Sequence, residues 1–210
     1  MSDRLNIAVF ASAKGSNFEA ILQAINAGKI TNARIVLVIR NNNAAGALEL
    51  ARGNQIFAVH LSRQQFESGD DFSTRLLRIL DEHAVNFIVL AGYMKKLDSS
   101  IIKRFKNRIL NVHPALLPKF GGQGMYGMHV HEAVIASKER ISGATVHIVD
   151  EEYDRGSTVL QRQVDVLTSD TPATLAVRVL DVERQLYPEA VRLFAEGRVQ
   201  VNGRNVTIVN

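Results

Sequence analysis

The strongest constraint on this chain is an alternation: apolar runs too short for helices are separated, along most of its length, by stretches of helical periodicity. Strand-then-helix units repeated in this way mark βαβ connections, a mainly parallel sheet and helices on its faces. "LNIAVFAS" (5–12), "ARIVLVIRN" (33–41), "IFAVHL" (56–61), "NFIVLAGY" (86–93) and "RILNVH" (108–113) read as the strands. "SNFEAILQAINAGK" (16–29), the stretches near 45–53 and 70–84, and the short "DSSIIKRFK" (98–106) read as the helices between them. Ser16, with Glu19 three residues on, predicts a capping box at the first helix.

After His113 the alternation breaks. Residues 114–127, "PALLPKFGGQGMYG", hold too much Gly and Pro for regular structure, and a loop of that length is usually functional or mobile. The pattern resumes with a helix "HVHEAVIASKE" (129–139), strands "GATVHIVD" (143–150) and "STVLQRQVDV" (157–166), and a long helix across 171–196. Asn202-Gly203, between two alternating runs, predicts a C-terminal β-hairpin. The expected fold is therefore α/β, one Rossmann-like domain over 1–210 with a mainly parallel sheet flanked by helices and a terminal hairpin.

Composition narrows what such a fold could be doing. With 46% hydrophobic and 22% charged residues the chain is that of an ordinary globular protein. There is no cysteine, so disulfides and thiolate metal sites are excluded. The net charge of +4 comes from 25 basic residues scattered among 21 acidic ones. Without a basic block this argues against nucleic acid and for a small anionic substrate. There is neither a long apolar run nor a basic-then-apolar leader, so neither a membrane partner nor secretion is expected, and a cytoplasmic location is.

In open parallel sheets ligands bind outside the carboxyl ends of the strands, and two candidate stretches lie there. "SAKGSN" (12–17) offers backbone N–H groups at a helix start, with Gly15, Ser16 and Asn17 able to cradle a phosphate; a plain capped turn would look the same. "ILNVHPALLPKF" (109–120) places Asn111 and His113 two apart, hence on one side of a strand. An amide there can stabilise an oxyanion while the imidazole moves a proton, although polar strand ends are common in their own right. In "TVHIVDEEYDRGSTVLQ" (145–161) a strand carrying His147 enters an acidic turn, where Asp150, Glu151, Glu152 or Asp154 could orient an imidazole; spacing leaves the choice open. His129 and His131 would suit zinc by composition, but positions two apart on a helix do not share a face, which favours ligand contact or capping.

Taken in order, "FASAKGSNFEAI", "VLAGYMKKL", "ILNVHPALLPKF", "GMYGMHVHEAV" and "SGATVHIVDEEYDRGSTVLQ" resemble the phosphoribosylglycinamide formyltransferase family, the folate-dependent glycinamide ribonucleotide transformylases of purine synthesis. The resemblance runs over about 5–195. It implies transfer of a formyl group from the co-substrate 10-formyltetrahydrofolate to the amine of glycinamide ribonucleotide, with no metal. It also implies a catalytic Asn111, His113 and Asp154, a phosphate and ribose site at Gly15, Ser16, Asn17 and Glu183, and a folate site at Met94, Lys95, Leu97, Asn111 and Asp150. On this reading residues 1–100 form the nucleotide-binding half, 101–196 the catalytic and folate-binding half, and 197–210 the hairpin, whose edge would allow a homodimer. Two departures stand out: Ala13 where members often carry Gly, and Lys95-Lys96 where Arg and an apolar residue are expected.

Three rivals share parts of this pattern. A formyltetrahydrofolate deformylase would direct water with the same three side chains, but usually carries an extra N-terminal domain. Methionyl-tRNA formyltransferase would need a larger C-terminal domain than Leu167 to Asn210 allows. A non-enzymatic nucleotide-binding module would explain the phosphate loop but not the ordered trio.

Overall fold

A computed structural model describes residues 4–11, 15–41 and 46–209. Seven strands form one sheet: β1 (Leu5–Ala11), β2 (Ala33–Arg40), β3 (Phe57–His60), β4 (Phe87–Ala91), β5 (Ile109–His113), β6 (Ile141–Ile148) and β7 (Thr158–Asp165), in the order β3-β2-β1-β4-β5-β6-β7. The pairs from β3 through β5 are parallel, whereas β6 runs antiparallel to both neighbours. The helices are α1 (Ser16–Asn26), α2 (Gly46–Gly53), α3 (Gly69–Glu82), α4 (Ser99–Arg104), α5 (Met128–Ala136) and α6 (Pro172–Ala195). Strands β8 (Val199–Asn202) and β9 (Asn205–Ile208) form the hairpin apart from the main sheet. The architecture is the one expected from the alternation.

Side-chain alternation divides the interior into two cores, one on each face of the sheet. Ile7, Val9 and Ala11 of β1 join a cluster with Phe18 and Ile21 of α1 and Leu186, Tyr187 and Val191 of α6. Ala8 and Phe10 join the opposite cluster with Leu76 and Leu80 of α3 and Ile101 and Ile102 of α4. Tyr187 ties the first core to the strands, its hydroxyl lying 3.0 Å and 2.8 Å from the carbonyls of Leu90 and Leu110. On β5, Leu110 and Val112 enter that first core, which turns Asn111 and His113 to the other side together.

Two local expectations are corrected. α1 is capped by Gly15 rather than Ser16, and no side chain closes a capping box, because Gly15 takes the left-handed conformation at φ 76° and hands over directly to the helix. β6 starts at Ile141 and ends at Ile148, so Val149 and Asp150 already belong to the acidic connection, where Gly156 approaches the strand backbone. A single 3₁₀ turn at Arg63–Gln65 was not foreseen. Ser12, Ala13 and Lys14, and with them the Ala13 departure, lie outside the described residues.

Candidate active site

A cavity of about 700 Å³ opens at the carboxyl ends of the parallel strands, and β5 delivers its central groups. Asn111 and His113 both line it, as their spacing on a strand requires. The antiparallel register sets His147 of β6 opposite Asn111. The Asn111 amide Nδ2 donates to His147 Nε2 at 3.1 Å, and His147 Nδ1 donates to the Ile148 carbonyl at 3.0 Å. One amide hydrogen of Asn111 is thereby occupied and the other is left for a ligand.

Of the four carboxylates in the acidic connection, Asp154 is the one that reaches the imidazoles. Its oxygens lie 3.5 Å from His113 Nδ1 and 3.5 Å from His147 Nε2, electrostatic contacts rather than full hydrogen bonds. The residue has a left-handed backbone at φ 54°, and its Oδ2 accepts from the backbone N–H of Gly122 at 2.9 Å. Glu151 and Glu152 are exposed, and Asp150 accepts from the Glu152 N–H within the turn while lining the cavity. Gly121 and Gly156 permit this packing: a Cβ at Gly121 would stand 3.1 Å from Asp154 Cβ, and one at Gly156 1.7 Å from the Ile148 carbonyl oxygen.

The electrostatics of the pair follow from burial and mutual charge. Burial lowers the His113 pKa and outweighs the Asp154 carboxylate, which pulls it up. Burial by itself would raise Asp154, but the imidazoles of His147 and His113 and the Gly122 amide hold its carboxyl below the usual range. A neutral imidazole therefore stands beside an ionised carboxylate near pH 7. His113 Nε2 donates to the Phe120 carbonyl at 2.7 Å, so Nδ1, facing Asp154, is the position that can take up a proton.

At one end of the cavity Asn17 Nδ2 donates to Glu183 Oε2 at 2.6 Å, joining α1 to α6. Glu183 is buried and its carboxyl is pushed up to about 7 by that burial, against the pull of the Asn17 bond and Arg184. Gly15 and Ser16 sit at the adjoining start of α1 but do not form the cavity wall; Ser16 lines a separate groove between α1 and α6. At the other end are Met94, Lys95 and Leu97, with Asp150 and Tyr153 of the acidic connection. Lys96 places its ammonium 5.8 Å from the centre of the Tyr153 ring.

Sequence reasoning did not include His147 among the site residues, nor the backbone groups of Phe120 and Gly122. Strand periodicity places His147 on a strand, but only the β5–β6 register sets it against Asn111. His129 is exposed and His131 buried, as a helix dictates for positions two apart. Among the described residues no three His, Cys, Asp or Glu side chains stand close enough to hold a metal ion.

Comparison with known proteins adds four findings. A family model described as formyl transferase matches residues 5–191. The chloroplastic phosphoribosylglycinamide formyltransferase of Arabidopsis thaliana is 41% identical over 207 residues, which cover 98% of this chain and 70% of the plant protein. The crystal structure of glycinamide ribonucleotide transformylase 1 from Symbiobacterium toebii superposes with a TM-score of 0.92 at 36% identity, covering 100% of this chain and 96% of that one. The phosphoribosylglycinamide formyltransferase of Coxiella burnetii gives 0.89 at 34% identity, covering 98% and 93%.

Proposed function

This chain belongs to the formyl transferase family, and from that premise we propose that it moves the formyl group of 10-formyltetrahydrofolate to the amine of glycinamide ribonucleotide, in purine biosynthesis. The products are formylglycinamide ribonucleotide and tetrahydrofolate. The observation that carries this reading is that Asn111, His113 and Asp154 line the same cavity as two chemically different groups of side chains. The end with Asn17 and Glu183 suits a phosphorylated sugar, since the first N–H groups of α1 have no side-chain cap and the Glu183 carboxyl can accept from ribose hydroxyls. Gly15 and Ser16 contribute to the phosphate site from that helix start. The end with Met94, Lys95, Leu97 and Asp150 suits the flat, partly polar folate ring.

The substrate amine is the nucleophile, which fits a site built around an amide, imidazoles and a carboxylate. The amine nitrogen bonds to the formyl carbon and the carbonyl electron pair moves onto oxygen. The free N–H of Asn111 stabilises that oxyanion, an effect worth on the order of a hundred- to a thousandfold in rate. The proton released by the amine passes to the His113–Asp154 pair. It is returned to the leaving folate nitrogen as the carbon–nitrogen bond breaks. His147 holds Asn111 in place through the 3.1 Å contact. The scheme describes a cytoplasmic enzyme acting on two small molecules, with no nucleic acid or membrane partner. No helix among the described residues is long and apolar enough to cross a membrane.

The test is the absorbance change on conversion of 10-formyl-5,8-dideazafolate in metal-free buffer, with and without glycinamide ribonucleotide. Deformylated product should form only with the amine present, and His113→Ala should lose nearly all turnover while keeping its fold. Product without the amine would make water the acceptor and the protein a deformylase.

A further inference from the structure

The transfer scheme makes no use of a third imidazole in the cavity, that of His131 on the first turn of α5. The residue is 5% exposed, and its Nδ1 is enclosed without a hydrogen-bond partner among the described residues. Enclosed polar atoms are nearly always satisfied, by protein, water or ligand. An orphaned N–H is rarer than an unsatisfied lone pair, so Nδ1 carries the lone pair and Nε2 carries the proton. Burial and the neighbouring His113 both push the His131 pKa down, which agrees with a neutral ring having a single donor. The ligand atom that meets this ring is therefore an acceptor, presented to Nε2–H.

The placement says which substrate supplies it. His131 lines the same cavity as His113. α5 packs against α6, the helix that carries Glu183. On the same side of the cavity Asn17 Oδ1 is likewise enclosed without a partner. The ring thus lines the cavity from the side of α5 and α6, whose Val134 and Tyr187 share one core, whereas Leu97 belongs to the core on the opposite face of the sheet. In glycinamide ribonucleotide the acceptor nearest the reacting amine is the carbonyl oxygen on the adjacent carbon. Resting on the formyl-transfer reading above, we infer that His131 is a substrate-binding residue whose Nε2–H donates to that carbonyl oxygen and so orients the amine toward the formyl carbon.

Titration calorimetry of His131→Leu and His131→Gln with glycinamide ribonucleotide, and separately with 10-formyl-5,8-dideazafolate, tests this. His131→Leu should weaken the nucleotide by about tenfold, the value of one lost neutral hydrogen bond, and leave the folate analogue unchanged. Because Leu removes an unsatisfied polar ring without opening much space, its thermal midpoint should be equal to or above that of the wild type. His131→Gln, whose amide can reach the Nε2 position, should recover part of the affinity. A carbocyclic nucleotide analogue with CH2 in place of the carbonyl should bind wild type and His131→Leu alike. Unchanged nucleotide affinity in His131→Leu, or equal weakening of both ligands with a lowered midpoint, would overturn the assignment. Failure of the wild type to bind the nucleotide at all would instead overturn the functional reading, and this inference with it.

Discussion

Two carboxylates in one cavity, Glu183 buried and Asp154 half-buried, are driven in opposite directions by their neighbours. Asp154 faces two imidazoles and a backbone N–H and stays ionised, whereas Glu183 has one amide against heavier burial, and its carboxyl rises to about 7. The unfolded chain returns Glu183 to about 4.5, so between these values the folded protein binds more protons. The stability contributed by neutral Glu183 is then fully present below about 4.5 and lost as pH rises through about 7. Glu183→Gln, which mimics the neutral form, should match the wild type near pH 4.5 and exceed its unfolding free energy by up to about 3 kcal/mol at pH 8. Denaturant titrations at the two pH values measure this. The same variant should raise the KM for the nucleotide, because an acceptor for ribose hydroxyls is replaced by a partial donor. A stability gain that did not depend on pH would mean that Glu183 is ionised throughout.

The acidic connection between β6 and β7 is the element on which the catalytic geometry depends. It leaves β6 at Ile148, turns through four carboxylates and returns at Thr158, and Gly156 makes the closest backbone approach. Gly156→Ala would drive a methyl group against the Ile148 carbonyl, backbone that cannot swing aside, and so displace Asp154 two residues away. A displacement of about 1 Å at a reacting group typically costs on the order of a hundredfold in rate. We expect that loss in kcat, together with a lower thermal midpoint. Gly203 in the β8–β9 turn is the natural control: it has φ 62° but nothing within 4 Å of its Cβ. Gly203→Ala should cost about 1 kcal/mol of stability through backbone strain and leave kcat unchanged. α6 is anchored differently, by the Thr171 cap and by the two-pronged grip of Arg178 on Asp170, and it holds Glu183 and Tyr187 in place for the cavity and the core.

Across the whole molecule, the sheet is covered on both faces and the cavity draws on segments far apart in the chain. Asn17 and Glu183 are 166 residues apart, and their contact links α1 to α6. The hairpin is peripheral to this arrangement. Val199, Val201 and Val206 pack on the core, and Arg198 Nε donates to the Val209 carbonyl at 2.7 Å, but the cavity-lining residues end at Glu183. Removing residues 198–210 should therefore lower the thermal midpoint while leaving the KM of both substrates unchanged. Steady-state kinetics on the truncated chain below its midpoint would check this; a changed nucleotide KM would show that the hairpin acts on the cavity through α6.

Sequence alone determined what depends on a few neighbouring residues. The strand and helix periods implied the parallel sheet, a period of two put Asn111 and His113 on one side, and Asn202-Gly203 marked the hairpin turn. Resemblance pointed to Asp154, while spacing left it level with Asp150, Glu151 and Glu152. Which carboxylate meets the imidazoles depends on how a loop folds back over β5 and β6, a contact no local pattern encodes. The pairing of His147 with Asn111 likewise follows from strand register, and the cap at Gly15 from a left-handed turn where a Cβ would meet Ala47. Tertiary structure alone decided that His131 Nδ1 is enclosed without a partner among the described residues, because burial is a property of what surrounds a side chain, whereas periodicity is a property of the backbone that carries it.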